Sequence, residues 1–182
     1  IAAAAARCGA HGPLHLVFLA TGVLHDGTAL QPEKTWRALT APSLAESFAV
    51  NAIGPALLAK HFLPRLATGG KAVFAALSAR VGSIEDNRLG GWYSYRASKA
   101  ALHMLLRTLA IELARRNPTA LCVALHPGTV DTALSRPFQP GVPDGRLFTP
   151  RQSAEHLLDV IDGLDASASG NAFDWDGQRL PF

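Results

Sequence analysis

The chain has 182 residues, 48% of them hydrophobic, with 17 Lys and Arg, 14 Asp and Glu, and a formal charge of +3. Its basic residues are scattered, only Arg115 and Arg116 being adjacent, so there is no cationic stripe of the kind that follows a nucleic-acid backbone. No apolar run reaches the roughly 20 residues of a membrane-spanning helix, and Cys8 and Cys122 make no disulfide framework. The expectation is one domain, residues 1–182, with no membrane or nucleic-acid partner, in a reducing, cytoplasmic setting.

Taken in order, Ile1–Ala10 reads as the end of an alanine-rich helix stopped by Gly9 and Gly12-Pro13. The only methionine is Met104, so Ile1 reads as lying inside a longer sequence rather than at a start. Leu14–Ala20 is a short apolar run suited to a buried parallel strand, ended by Thr21-Gly22. Val23–Ala41 reads as loop. A helix is predicted over roughly Leu44 to Leu66, with Pro55 bending or breaking it. Lys71–Leu77 is a second strand with Ser78 at its end, and Ala79–Gly91 a polar loop. Tyr93–Arg116 is a second long helix, striped by Leu102, Leu105, Leu106, Leu109 and Leu113. Ala120–Leu125 is a third strand ended by His126-Pro127-Gly128, and Thr129–Thr149 a Pro/Gly-rich loop. Pro150 opens a helix over Arg151–Leu164, and Asn171–Asp174 is a last strand. Continuously apolar strands alternating with helices predict an α/β fold, a doubly wound parallel sheet covered on both faces. In such sheets ligands sit beyond the carboxyl ends of the strands.

Tyr95 and Lys99 stand four residues apart at the start of the second long helix, hence on one face. A free phenol has a pKa of about 10 and a nearby ammonium lowers it. Such a pair can exchange a proton with an alkoxide or alcohol.

Ala20-Thr21-Gly22, Asn51 in Val50-Asn51-Ala52-Ile53-Gly54-Pro55, Ser78, Tyr95 with Lys99, and Pro127-Gly128-Thr129-Val130-Asp131-Thr132 follow one another in the order and spacing of a known family. The chain resembles a short-chain dehydrogenase/reductase. Through Asp86-Asn87 and Gly90-Gly91-Trp92-Tyr93-Ser94-Tyr95-Arg96-Ala97-Ser98-Lys99 it resembles the carbonyl-reductase branch that includes the C-factor and sniffer-like proteins. The family's first strands and its glycine-rich T-G-x-x-x-G-x-G loop have no counterpart, and no G-x-G-x-x-G occurs. The chain is therefore expected to be part of a longer Rossmann-like domain, with the Leu14–Ala20 strand at an exposed edge.

The resemblance implies hydride transfer between NADP or NAD and a small carbonyl/alcohol substrate. Tyr95 would be the proton donor, and Lys99 would lower its pKa and bond the nicotinamide ribose. Ser78 would hold the carbonyl oxygen, although close relatives put their catalytic serine at position 79, which is alanine here; Ser83 is a remoter candidate. Asn51 would hold a water linking Lys99 to solvent, or else bond helix backbone. Ala20, Thr21, Gly22, Asn51, Tyr95, Lys99, Pro127, Gly128, Val130 and Thr132 would meet the cofactor. Family members pair through the two long helices, which predicts a homodimer or homotetramer. The alternative is a non-enzymatic, C-factor-like signalling protein on the same fold. Trp92, Phe138 and Phe148 are candidates for a pocket wall or for packing, and His126 for strand-end packing. His11 and His15 flank Gly12-Pro13, which forbids a helical metal pair, so no metal is expected.

Overall fold

The computed structural model describes residues 1–182. In chain order it contains α1 (Ala2–Gly9), β1 (Leu16–Leu19), α2 (Ala41–Phe48), α3 (Gly54–Phe62), β2 (Ala72–Leu77), α4 (Tyr93–Ala114), β3 (Ala120–Leu125), β4 (Thr129–Val130), β5 (Leu147–Phe148), α5 (Pro150–Gly163), β6 (Ala172–Phe173) and β7 (Arg179–Leu180). The main sheet runs β1-β2-β3-β6-β7. Its first four strands are parallel, with Leu19 opposite Ala76 and Leu77 opposite Leu125, so β1, β2 and β3 finish at one rim.

Alternation along the strands divides the core in two. Phe74, Ala76, Cys122 and Ala124 pack with Ala59 of α3 and Leu102, Leu106 and Ala110 of α4. Val73, Ala75, Leu121 and Val123 face the other way, against Leu157, Val160 and Ile161 of α5. Helices on both faces of a mostly parallel sheet give the doubly wound architecture expected. β1 is an edge strand, with Leu16 40% exposed. The exception to parallel pairing is β7, which runs antiparallel to β6. The short connection Asp174–Gln178 cannot return a chain in the parallel sense, which needs a dozen residues or more.

The helix predicted over Leu44 to Leu66 is four pieces, the last a 3-10 turn, Leu63–Arg65, that ends it before Leu66. Thr40 caps α2, its Oγ1 accepting the Ser43 N–H at 3.2 Å, so the helix begins before Leu44. A π-helical turn, Ala49–Ile53, then separates α2 from α3, with the Gly54 N–H reaching back to the Ala49 carbonyl. The cause is Pro55, which has no N–H and whose ring would collide with the carbonyl four residues earlier; the extra residue per turn absorbs the conflict. The widened turn leaves Asn51 fully buried. α5 starts at Pro150 behind a capping box between Thr149 and Gln152. The loop expected over Thr129–Thr149 contains the β4–β5 parallel pair, too short to leave a periodic signal.

Candidate active site

A cleft of about 760 Å³ opens beyond the carboxyl ends of β1, β2 and β3, large enough for a small organic ligand. Ala20, Thr21 and Gly22 enter it from the end of β1, and Ser78 from the end of β2. Tyr95 and Lys99 enter from the first turns of α4, and Pro127, Gly128, Val130 and Thr132 from the segment after β3. Of the residues expected to meet substrate or cofactor, Asn51 alone stands behind the wall rather than on it. Ser83 is buried and its Oγ accepts the Asp86 N–H at 3.0 Å; it closes a turn and takes no part in the cleft.

The inner face of α4 carries Tyr95, Lys99 and His103, one turn apart each. Two of them engage the end of β2 in register: Lys99 Nζ donates to the Leu77 carbonyl at 3.0 Å, and His103 Nε2 lies 2.6 Å from Ser78 Oγ. Lys99 is buried, and its Nζ sits 5.7 Å from the Tyr95 ring centre. His103 was missed in the sequence, although it continues the Tyr95–Lys99 spacing by one more turn.

The electrostatics differ from the expectation for this pair. Burial pushes the Tyr95 phenol up to about 12. The same cause brings Lys99 down to about 8, since a cation loses more by leaving water than a neutral amine. The expected acidification of Tyr95 by Lys99 is absent because desolvation dominates. At neutral pH the phenol holds its proton and Lys99 remains cationic. Burial, then the Lys99 charge, holds His103 down to about 4, so its imidazole is neutral.

Asn51 acts as a clamp. Its Nδ2 donates to the Val23 carbonyl at 2.8 Å and to Ser98 Oγ at 3.0 Å, while its Oδ1 accepts the Val23 N–H at 2.8 Å. Ser98 Oγ in turn donates to the Tyr95 carbonyl at 2.8 Å. The segment after β1 and the start of α4 are thereby fixed to each other. Gly22 lies over this join: a Cβ there would stand 3.4 Å from Lys99 Nζ and 3.6 Å from Asn51 Oδ1. A bare glycine keeps open a space that both polar atoms border.

Glu33, also missed, is the second anchor. It is 5% exposed, and its carboxylate accepts the Ser94 N–H at 3.1 Å and the Ser94 hydroxyl. An acidic group here satisfies orphan donors in the first turn of α4 and complements the helix dipole. Its main-chain carbonyl accepts the Trp92 N–H. Trp92 is the one non-glycine residue with positive φ, at 52°. Such backbone in a bulky residue costs about 1–3 kcal/mol and has to be held by its surroundings. The held ring lies 4.7 Å from Phe138 and edge-on to Tyr95 at 6.3 Å, and Trp92 and Phe138 both line the cleft. Phe148 instead packs on Trp175 and His156, away from the opening. Gly128 has φ +71°, and a Cβ on it would come within 2.7 Å of the Phe148 ring. His126, expected as packing, lines the cleft as well, and its buried Nδ1 has no partner.

The arrangement pairs a protonated phenol with a buried ammonium and a serine hydroxyl, all at one apolar opening. The bare Gly22 leaves open the space beside Lys99 Nζ and Asn51 Oδ1, whereas the side a Cβ would take at Gly128 is filled by the Phe148 and Trp175 rings.

A family model described as enoyl-(acyl carrier protein) reductase matches residues 1–157. The C-signal protein of Myxococcus xanthus is 39% identical over 139 residues, covering 76% of this chain and 78% of that protein. A 1-hydroxy-2-glutathionyl-2-methyl-3-butene dehydrogenase from Rhodococcus sp. (strain AD45) is 38% identical over 131 residues, 72% of this chain but only 55% of the dehydrogenase. Among solved structures, the NADPH-bound carbonyl reductase from chicken fatty liver aligns with 99% of this chain and 71% of its own, at a TM-score of 0.82 and 30% identity.

Proposed function

The chain belongs to the short-chain dehydrogenase/reductase family, and from that premise we propose that it carries the proton-transfer half of an NADPH-dependent carbonyl reductase site. The observation that supports this most is the convergence of Tyr95, Lys99 and Ser78 on one cleft at the carboxyl rim of the sheet. A nicotinamide nucleotide, when bound, supplies the hydride. The residues present fit its nicotinamide end: Ala20, Thr21 and Gly22 on one side, Pro127, Gly128, Val130 and Thr132 on the other, with Gly22 leaving space open beside Lys99 Nζ. NADP is preferred over NAD on the strength of the NADPH-bound relative.

The substrate carbonyl oxygen lies between Ser78 Oγ and the Tyr95 hydroxyl. Ser78 donates a hydrogen bond that strengthens as negative charge grows on that oxygen. Tyr95 then gives its proton to the developing alkoxide, and its raised pKa keeps that proton available across the neutral range. The phenolate left behind is stabilised by the Lys99 ammonium. Asn51 Oδ1 and Lys99 Nζ border the Gly22 space, where a water returns the proton from solvent. Trp92 and Phe138 exclude bulk water and present an apolar wall to the rest of the substrate.

Exposed apolar side chains on the long helical segments support the expected homodimer or homotetramer: Val50, Ile53, Leu57, Met104 and Ile111. A monomeric mass by light scattering overturns that part. No helix is long and apolar enough to cross a membrane.

A second reading, a signalling protein of the same fold, draws on the name of the Myxococcus relative. This chain has no counterpart of the glycine-rich loop and can itself be inactive, so the two are separated on the full-length protein, by NADPH oxidation with 4-nitrobenzaldehyde run beside a fluorescence titration of NADPH. Aldehyde-dependent oxidation supports the reductase; binding without oxidation favours the signalling protein, and no binding rejects the cofactor site.

A further inference from the structure

Ser78 and His103 form a buried pair that the reaction outlined above does not explain. The two residues are 6% and 4% exposed, and Ser78 Oγ lies 2.6 Å from His103 Nε2. His103 is held on every side. It follows Lys99 by one turn of α4, its ring lies 5.5 Å from that of Phe182, and its Cε1 would be 3.2 Å from a Cβ at Gly82. Its other nitrogen, Nδ1, is buried with no hydrogen-bond partner.

A neutral imidazole has one N–H, and this pair offers two ways to place it. With the proton on Nδ1, a buried donor is orphaned and the Ser78 hydroxyl must spend its hydrogen on Nε2. With the proton on Nε2, the ring donates to Ser78 Oγ and only a lone pair at Nδ1 goes unmatched. Orphaned buried N–H groups are the rarer defect in folded proteins. The second arrangement also frees the Ser78 hydrogen, and Ser78 lines the cleft.

We propose that His103 is a positioning residue whose Nε2–H donates to Ser78 Oγ and turns the Ser78 hydroxyl hydrogen into the cleft, as the donor to a substrate carbonyl oxygen. The device accounts for a working serine at position 78 where position 79 is alanine. The α4 face binds the end of β2 at two successive residues, Lys99 to the Leu77 carbonyl and His103 to the Ser78 side chain, so the serine is set by the same helix that carries the proton donor. The proposal rests on Ser78 being the carbonyl-polarising group.

The decisive measurement is the imidazole nitrogen spectrum of the whole chain labelled with 15N-histidine, without cofactor, the His103 signals being assigned by their loss in His103→Gln. A protonated, pyrrole-like Nε2 and a bare, pyridine-like Nδ1 are expected; the reverse assignment overturns the proposal. The second arm is kinetic, with NADPH and 4-nitrobenzaldehyde. His103→Leu is expected to lower kcat by about 10-fold or more with KM changed by less than about threefold, as loss of an aligned transition-state donor requires. His103→Gln, whose amide can still donate to Ser78, is expected to recover most of that loss. Equal defects in both variants would assign His103 to packing alone. If the full-length protein oxidises no NADPH, the reductase reading fails, and the nitrogen assignment still decides which atom of His103 carries the proton.

Discussion

Gly82 lies so close to Lys99 that a Cβ at position 82 would stand 2.8 Å from Lys99 Cβ and 3.0 Å from the Lys99 carbonyl carbon. The turn after β2 meets the α4 backbone there, so nothing flexible can yield. Gly82→Ala is expected to destabilise the fold by about 1–3 kcal/mol, the usual range for overpacking. It should also lower turnover, because relief of the clash moves Lys99. Urea unfolding beside steady-state kinetics checks both, and an unchanged variant would mean that the turn tolerates displacement.

Glu33 and Ser94 tie the loop after β1 to the first turn of α4. Glu33→Ala removes both acceptors and leaves Ser94 buried without a partner. A loss of about 2 kcal/mol is expected, in line with hydrogen bonds to charged groups. Glu33→Gln, which keeps one acceptor, should lose less. Chemical denaturation ranks the three proteins; equal stability of the Ala variant and the original would contradict the anchoring role.

Lys99 makes stability depend on pH with a definite sign. Its folded pKa, brought down to about 8 by burial, lies below the ordinary 10.5. Between those values the unfolded chain holds more protons than the folded one, so stability rises with pH. The burial penalty is fully present below about 8 and fades toward 10.5. Compared with Lys99→Met, the original protein should gain about 2 kcal/mol between about pH 7 and about pH 9.5. The variant serves as the reference that removes the contribution of other groups. A flat difference would show that Lys99 titrates at its ordinary value.

Some of this was legible in the amino-acid sequence and some was not. The apolar run Ala120–Leu125 announced β3 to the residue; helical spacing put Tyr95 and Lys99 on one face, and it took the family resemblance of the other landmarks to single the pair out. Pro55 announced a break in the helix but not its form, because a π turn depends on how the chain accommodates a missing donor. β4, β5 and β7 are two residues each, shorter than any period can register. Glu33 lies in a stretch without periodicity, and its partner Ser94 is 61 residues away. His103 was legible in part, as a third polar residue on the Tyr95 face, but its partner Ser78 is fixed only by tertiary packing. The direction of the Tyr95 shift was misread for the same reason: spacing reports the neighbouring charge and is silent on how much water the fold removes.

The proton donor is tested most directly by Tyr95→Phe, which deletes one oxygen from a half-buried ring and leaves the cleft wall in place. With NADPH and 4-nitrobenzaldehyde, turnover should fall by roughly 100- to 10,000-fold, the range for loss of a positioned general acid. NADPH affinity, read by its fluorescence, should stay within about twofold. Turnover close to that of the unsubstituted chain, with affinity unchanged, would place the proton on some other group and contradict the role given to Tyr95.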